Sequence, residues 1–220
     1  FPGKSPRYYI CPVWVNTASK PIISFSFDDR NPNDYLNAYS YMQPRGLVGS
    51  LAVLSKVGSL SVANMLTMQE NGWSIHNHSA THPAFDLLTA DQIRKEIEGC
   101  QTFLTANGLT SGRSSLVLPF GGRNALVDSV VREYYPYSFT ANNAAAFQVL
   151  VDGFPEPFQI KRAVMDAPTS AATLIANINT AVSFGLSMNL YGHDVTAGAP
   201  TGKTDLATFM AVVDHVKRLS

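Results

Sequence analysis

Short apolar runs alternate with longer amphipathic ones along most of the chain, and the two periods assign them to strands and helices. "PIISFSFDD" (21–29) is rich in strand formers and ends in two carboxylates. A helix-like stretch begins near Asp34, and "LVGSLAVLS" (47–55) reads as a second strand. "SLSVANMLTMQENG" (59–72) carries a helical pattern stopped by Asn71-Gly72, and the extended "WSIHNHS" (73–79) follows it. The clearest helix is "TADQIRKEIEGCQTFLTANG" (89–108). Thr89 can cap it, Ile93, Ile97, Cys100 and Leu104 form its apolar stripe, and Asn107-Gly108 end it.

The same alternation continues through "SLVLPFGG" (115–122), a helix from about Asn124 to Glu133, and "YSFTANN" (137–143). "FQIKRAVMDA" (158–167), a helix over about 170–183, "LSMNLYGHD" (186–194) and a last helix within 204–219 complete it. Seven strand candidates, mostly separated by helices, predict parallel strands with helical crossovers, either a barrel or an open doubly wound sheet. The stretch 137–160 carries loop signals and no clear helix, and the chain reads as one domain.

Composition narrows the partners. The 220 residues are 45% hydrophobic and 15% charged, which suits a folded globular chain. Lys+Arg and Asp+Glu balance at 16 each, so there is no basic field to recruit nucleic acid or an anionic membrane. Uncharged carbohydrate fits that balance. No apolar run approaches bilayer-spanning length. Cys11 and Cys100 could pair, but two cysteines leave the redox compartment open. The start "FPGKSPRYY" lacks a Met and a signal pattern, which is the expectation for a processed form or an excised domain.

Candidate chemistry gathers at the strand ends, where parallel α/β barrels carry their catalytic groups. These ends supply Asp28 and Asp29, then His76, His78 and His82, then Pro119 to Gly122, Asp166, and finally His193 and Asp194. Two histidines and a carboxylate make a common ligand set for a catalytic divalent metal. Asp28 or Asp29 with two of the three clustered histidines could provide it. Singly, a "DD" pair reads as a solvated turn and a histidine pair as surface decoration; their convergence on one rim favours the site. "GAPTGKT" (198–204) is not a phosphate loop, because three residues separate Gly198 from Gly202-Lys203 where four are needed. It reads as a loop opening the last helix, with Thr204 as the candidate cap.

These residues resemble the motifs of the polysaccharide deacetylases, carbohydrate esterase family 4. "SFDDR" (26–30) is similar to the family's first motif, and "HSATHP" (78–83) after Gly72-Trp73 matches the second in full. "VLPFG" (117–121) is similar to the third and "LYGHD" (190–194) to the closing one, in order from about residue 21 to the final helix. The resemblance implies a distorted (β/α)7 TIM-like barrel over 21–220, after an N-terminal extension of 1–20. It implies Asp29, His78 and His82 as ligands of a divalent metal, zinc first, with cobalt or nickel as alternatives. Asp28 would be the general base and His193 the general acid. Pro119, Phe120 and Gly121 would form the oxyanion turn, and Leu190 would line the acetyl-methyl pocket.

The sequence departs from the family in two motifs. Arg30 replaces a glycine, which could alter the first loop or send a side chain over the cleft. Val117 replaces an arginine that orients the base, with Arg162 as the preferred substitute and Arg123 as the other. Asp166 or Asp194 would partner His193, and His76 receives no metal role. The implied activity is removal of acetyl groups, N-acetyl before O-acetyl, from an extracellular, cell-surface or virion-associated polysaccharide substrate. The alternatives are amide hydrolysis on a small cyclic or ureido compound, and a carbohydrate-binding barrel that has lost activity. The oligomeric state stays open.

Overall fold

A computed structural model describes residues 21–141, 147–148 and 157–220. The expected N-terminal extension, with Cys11, lies outside the described residues, as do Asn142 and Asn143 of the expected fifth strand. Strand β1 (Ile23–Asp28) pairs in parallel with β2 (Ser50–Val53), which pairs with β3 (Ser74–Asn77). β3 pairs with β4 (Ser115–Val117), and β4 with β5 (Tyr137–Phe139). On the other flank β1 pairs with β8 (Ser187–His193), beside which lies β7 (Ala163–Val164). All of these ladders are parallel.

The remaining strand, β6 (Phe147–Gln148), adds to β8 antiparallel and falls in the stretch where the sequence pattern was weakest. The chain at Ile160 bridges in parallel to Phe139, so residues 160–164 tie β5 to β8 and curl the sheet into a seven-stranded parallel barrel. Several strands are shorter than their apolar runs. The run 115–122 leaves the sheet after Val117, because Pro119 supplies no N–H and the chain enters a 3₁₀ turn over Pro119–Gly121.

Helices sheathe the barrel. After a π-helical turn (Asp34–Tyr39) come α1 (Ser40–Met42), α2 (Val62–Glu70), α3 (Ala90–Ala106), α4 (Ala125–Val131), α5 (Ala171–Ser183) and α6 (Leu206–Leu219). Thr89 caps α3 in a capping box closed by Gln92. The last helix is capped by Asp205, not by Thr204 as its sequence suggested, because the Thr204 side chain turns inward.

Strand alternation separates two environments. On β1, Phe25 and Phe27 join Phe209, Val212 and Trp73 in the core beneath the helices, with Phe27 stacked on Trp73 at 5.8 Å. Ser24, Ser26 and Asp28 have the opposite parity and face the barrel interior, where Ser26 and Asp28 meet Arg162. A second apolar cluster joins Leu116 and Leu118 to α3 and α4. At ~25 cal/mol per Å² of apolar surface removed from water, each large core side chain contributes roughly 1.5–3 kcal/mol. The polar side chains are thus left to the lumen and its carboxyl-end rim.

Candidate active site

β1 delivers Asp28 to the rim with 2% of its surface exposed. The Arg162 guanidinium, 1% exposed, grips it through two parallel hydrogen bonds of 2.8 and 2.9 Å. Arg162 also donates to the Thr140 carbonyl and lies 4.3 Å over the Tyr191 ring. Burial alone would raise the Asp28 pKa. The charge of Arg162 with its two hydrogen bonds, helped by the charge of His193, outweighs it and holds the carboxyl well below the usual range. Asp28 is therefore an ionised acceptor. Arg123, the other substitute offered by the sequence, is bonded instead to Asp128 on α4.

Directly after Asp28 the chain turns through two left-handed residues, Asp29 (φ 75°) and Arg30 (φ 59°). Arg30 holds, at a cost of about 1–2 kcal/mol, a left-handed backbone that a glycine would adopt without strain. It does not extend over the cleft. Its guanidinium donates to the Leu60 and Leu54 carbonyls and packs on Phe103. The turn aims the Asp29 carboxylate at two histidines from the loop after β3.

Asp29 Oδ1 lies 3.6 Å from His78 Nε2 and 3.4 Å from His82 Nε2, and the two Nε2 atoms are 3.2 Å apart. Bonds of about 2.0–2.1 Å to a tetrahedral zinc place ligand atoms roughly 3.3–3.4 Å from one another, so this spacing fits such an ion. Two further observations fit it. Asp29 Oδ1 is buried without a hydrogen-bond partner among the described residues. His78 Nδ1 sits 2.7 Å from the Val117 carbonyl, which can only accept, so the proton is on Nδ1 and the Nε2 lone pair faces the trio. Burial also pushes the His78 imidazole down to about 4, against the pull of Asp28, which keeps it in its neutral form.

The loop carrying the histidines is braced. Ser79 (φ 81°) and His82 (φ 68°) are left-handed, Ser79 Oγ accepts the His82 N–H, and Glu96 of α3 accepts the N–H groups of Ala80 and Thr81. His76 stands apart from the trio. It pairs with Ser115 Oγ at 2.8 Å and faces a lower lumen cavity of about 290 Å³ beside Ser24, Ser26 and Asn189. That bond joins β3 to β4.

His193, at the end of β8, lines the same 670 Å³ cleft as Asp28, Asp29, His78 and His82. Between the two candidate partners, Asp166 holds it: Oδ2 is 2.5 Å from His193 Nδ1, and Oδ1 accepts the His193 N–H at 3.0 Å. Asp194 binds Lys203 and Asn33 instead. Burial opposes a charge on His193, but the hydrogen bond to Asp166 and the charges of Asp28, Asp166 and Asp29 raise its pKa to about 9.

The remaining predicted contacts divide. Phe120 (φ 55°) is 69% exposed on the cleft wall with its ring 4.4 Å from His82. Pro119 is buried and Gly121 packs against Ala141, so both shape the turn and neither lines the cleft. Leu190 is a correction. It is fully buried in the core beneath the helices, and its neighbour Tyr191 lines the cleft. Counting back from His193 by the strand period of two reaches Tyr191 and skips Leu190. Lys203, Asn31 and Val57 also line the cleft, and nothing in the sequence singled them out for it.

The sequence profile of the family described as polysaccharide deacetylase matches residues 15–137, more than half of the chain. The chain belongs to the polysaccharide deacetylase family. No curated protein sequence matches it. Among solved structures, this deacetylase-family chain is similar to a family 4 carbohydrate esterase from Streptomyces lividans in complex with acetate. That pair has a TM-score of 0.65 and 16% identity, covering 91% of this chain and 88% of the other. The peptidoglycan deacetylase PdaC from Bacillus subtilis gives 0.59 and 14%, covering 91% and 85%. A family 4 pseudoenzyme from Bacillus anthracis, BA3943, gives 0.62 and 12%, covering 91% and 60%. At these identities the likeness establishes the shared (β/α)7 barrel fold.

Proposed function

We propose that this chain is a metal-dependent hydrolase that removes acetyl groups, N-acetyl before O-acetyl, from a polysaccharide. The observation that carries the reading is one cleft that holds a buried Asp28 gripped by Arg162, a His193 paired with Asp166, and the Asp29, His78 and His82 trio. That arrangement favours an ionised Asp28 and raises the His193 pKa. Asp29, His78 and His82 would hold the cation, zinc first. A divalent ion there supplies Lewis acidity toward the acetyl carbonyl and lowers the pKa of water from 15.7 toward ~7.

Asp28, fixed by Arg162, accepts the proton of the attacking water. His193, fixed by Asp166, donates one to the departing amine or alcohol. The Phe120 N–H, on the exposed turn, is the oxyanion donor in this reading. Arg162 takes the place of the third-motif arginine that Val117 lacks. Among the described residues no helix is long and apolar enough to cross a membrane. We place the substrate polymer outside the cell or at its surface, where such polysaccharides are met.

The test is acetate release from a panel of N- and O-acetylated glycans, with metal-stripped protein and after adding zinc, cobalt or nickel. Release should vanish on stripping and return with metal. Release unchanged without metal overturns the mechanism. Tight glycan binding with no release under any metal favours the inactive binding barrel.

A further inference from the structure

The "GAPTGKT" loop, set aside as a phosphate motif, ends in a residue that touches the acid side of the cleft. Thr204 is fully buried, and its hydroxyl donates to Asp166 Oδ1 at 2.6 Å. Its N–H donates to the His193 carbonyl at 2.8 Å, and its own carbonyl accepts from the Thr196 N–H at 3.0 Å. One residue therefore holds both the backbone of His193 and the carboxylate that faces its ring. A carboxylate can turn about its Cβ–Cγ bond; donors on both oxygens remove that freedom.

Gly192 supplies the second observation. A Cβ built there would fall 2.0 Å from Thr204 Oγ1 and 3.3 Å from Asp166 Oδ1. Its φ is not among the left-handed ones, so glycine is needed here for space and not for backbone shape. The hydroxyl occupies the space that any other residue at 192 would fill.

We propose that Thr204 is a positioning residue for the His193 acid, acting through Asp166, and that Gly192 is glycine to admit the Thr204 hydroxyl. This rests on His193 being the acid of the reaction. Without the hydroxyl, Asp166 Oδ1 keeps only the longer bond from the His193 N–H, at 3.0 Å, and the carboxylate facing His193 Nδ1–H is held less firmly.

The test compares Thr204→Val, Thr204→Ser and Gly192→Ala in the full chain, by two readouts. The first is the low-field proton resonance of His193 Nδ1–H in metal-free protein, assigned by its loss in His193→Gln. The second is kcat and KM for acetate release with metal. Thr204→Val and Gly192→Ala should broaden or lose the resonance and lower kcat on the order of tenfold, the low end for outer partners of an active-site group, with KM little changed. Thr204→Ser should restore both. The double variant should be no worse than either single one, since both remove the same contact.

Wild-type resonance and kcat in both Thr204→Val and Gly192→Ala overturn the proposal, as does a Thr204→Ser variant as impaired as Thr204→Val. If Thr204→Val does not fold, Gly192→Ala and Thr204→Ser decide by the same criteria. If wild type itself releases no acetate, the deacetylase reading fails while the resonance still decides whether Thr204 positions the pair.

Discussion

Asp28 and Arg162 are both almost fully buried, so each depends on the other for its charge to be tolerated. Replacing Arg162 by Met should destabilise the fold by about 3–5 kcal/mol, because it strands a buried carboxylate. Urea unfolding measures this, and adding Asp28→Asn to the Arg162→Met variant should recover part of the loss. Asp28→Asn alone should lower kcat by roughly 10²–10⁴. His193 sets a pH dependence of opposite sense to the buried acid. Its folded pKa of about 9 stands above the ordinary 6.5. Its contribution is full below 6.5, and is lost as pH rises from there through about 9. Unfolding midpoints of metal-free protein should fall across that window, and His193→Gln should flatten the slope. Asp28, with a depressed pKa, is stabilising above its ordinary 3.8 and loses that as pH falls through its lowered value. His76, pushed by burial down to about 4, is fully stabilising above 6.5 and loses that as pH falls toward 4. Metal binding is checked the same way. Zinc should raise the melting temperature of wild type, and Asp29→Asn or His82→Ala should abolish the rise.

At the scale of elements, the helices were the most legible part of the sequence and the strand ends the least. Helix α3 begins after Thr89 and closes at Asn107, because capping and periodicity are local properties that the neighbouring residues decide. Thr89→Ala should cost about 0.5–2 kcal/mol by chemical unfolding with little change in activity. Strand ends answer to something else. Asp29, Arg30, Ser79, His82, Phe120 and Asp194 are all left-handed without being glycine, and all lie at or just beyond the carboxyl ends of strands. Such strain persists only where surrounding structure enforces it, so no local preference announces it. Gly58 shows the enforcement: a Cβ there would sit 2.5 Å from the Asp29 carbonyl. Gly58→Ala should therefore weaken zinc affinity, measured by calorimetry, more than it lowers stability.

For the molecule as a whole, alternation of short strands and helices was enough to predict seven parallel strands. Periodicity alone left barrel and open sheet as alternatives, and only the family resemblance favoured closure, because closure depends on an isolated bridge from Phe139 to Ile160 and a two-residue strand at Ala163–Val164. The antiparallel β6 was invisible for the same reason: two residues carry no period. The lumen departs from the bulky branched filling usual in such barrels. Serines at 24, 26, 50 and 74 line a cavity under Arg162, which also lines the cleft above. The apolar core is accordingly displaced to the layer between strands and helices.

By itself the sequence determined the strand and helix series, the rim on which chemistry gathers, and the motifs that resemble the deacetylase family. Those are short-range facts, written in periodicity and spacing. The tertiary structure decided which distant groups meet: Arg162 and not Arg123 on Asp28, Asp166 and not Asp194 on His193, Tyr191 and not Leu190 in the cleft. It also separated His76 from His78 and His82, and turned Thr204 from a helix cap into a partner of Asp166. Partner choice at the centre of a barrel depends on which strands face each other across it, and that distance is set only once the sheet has closed.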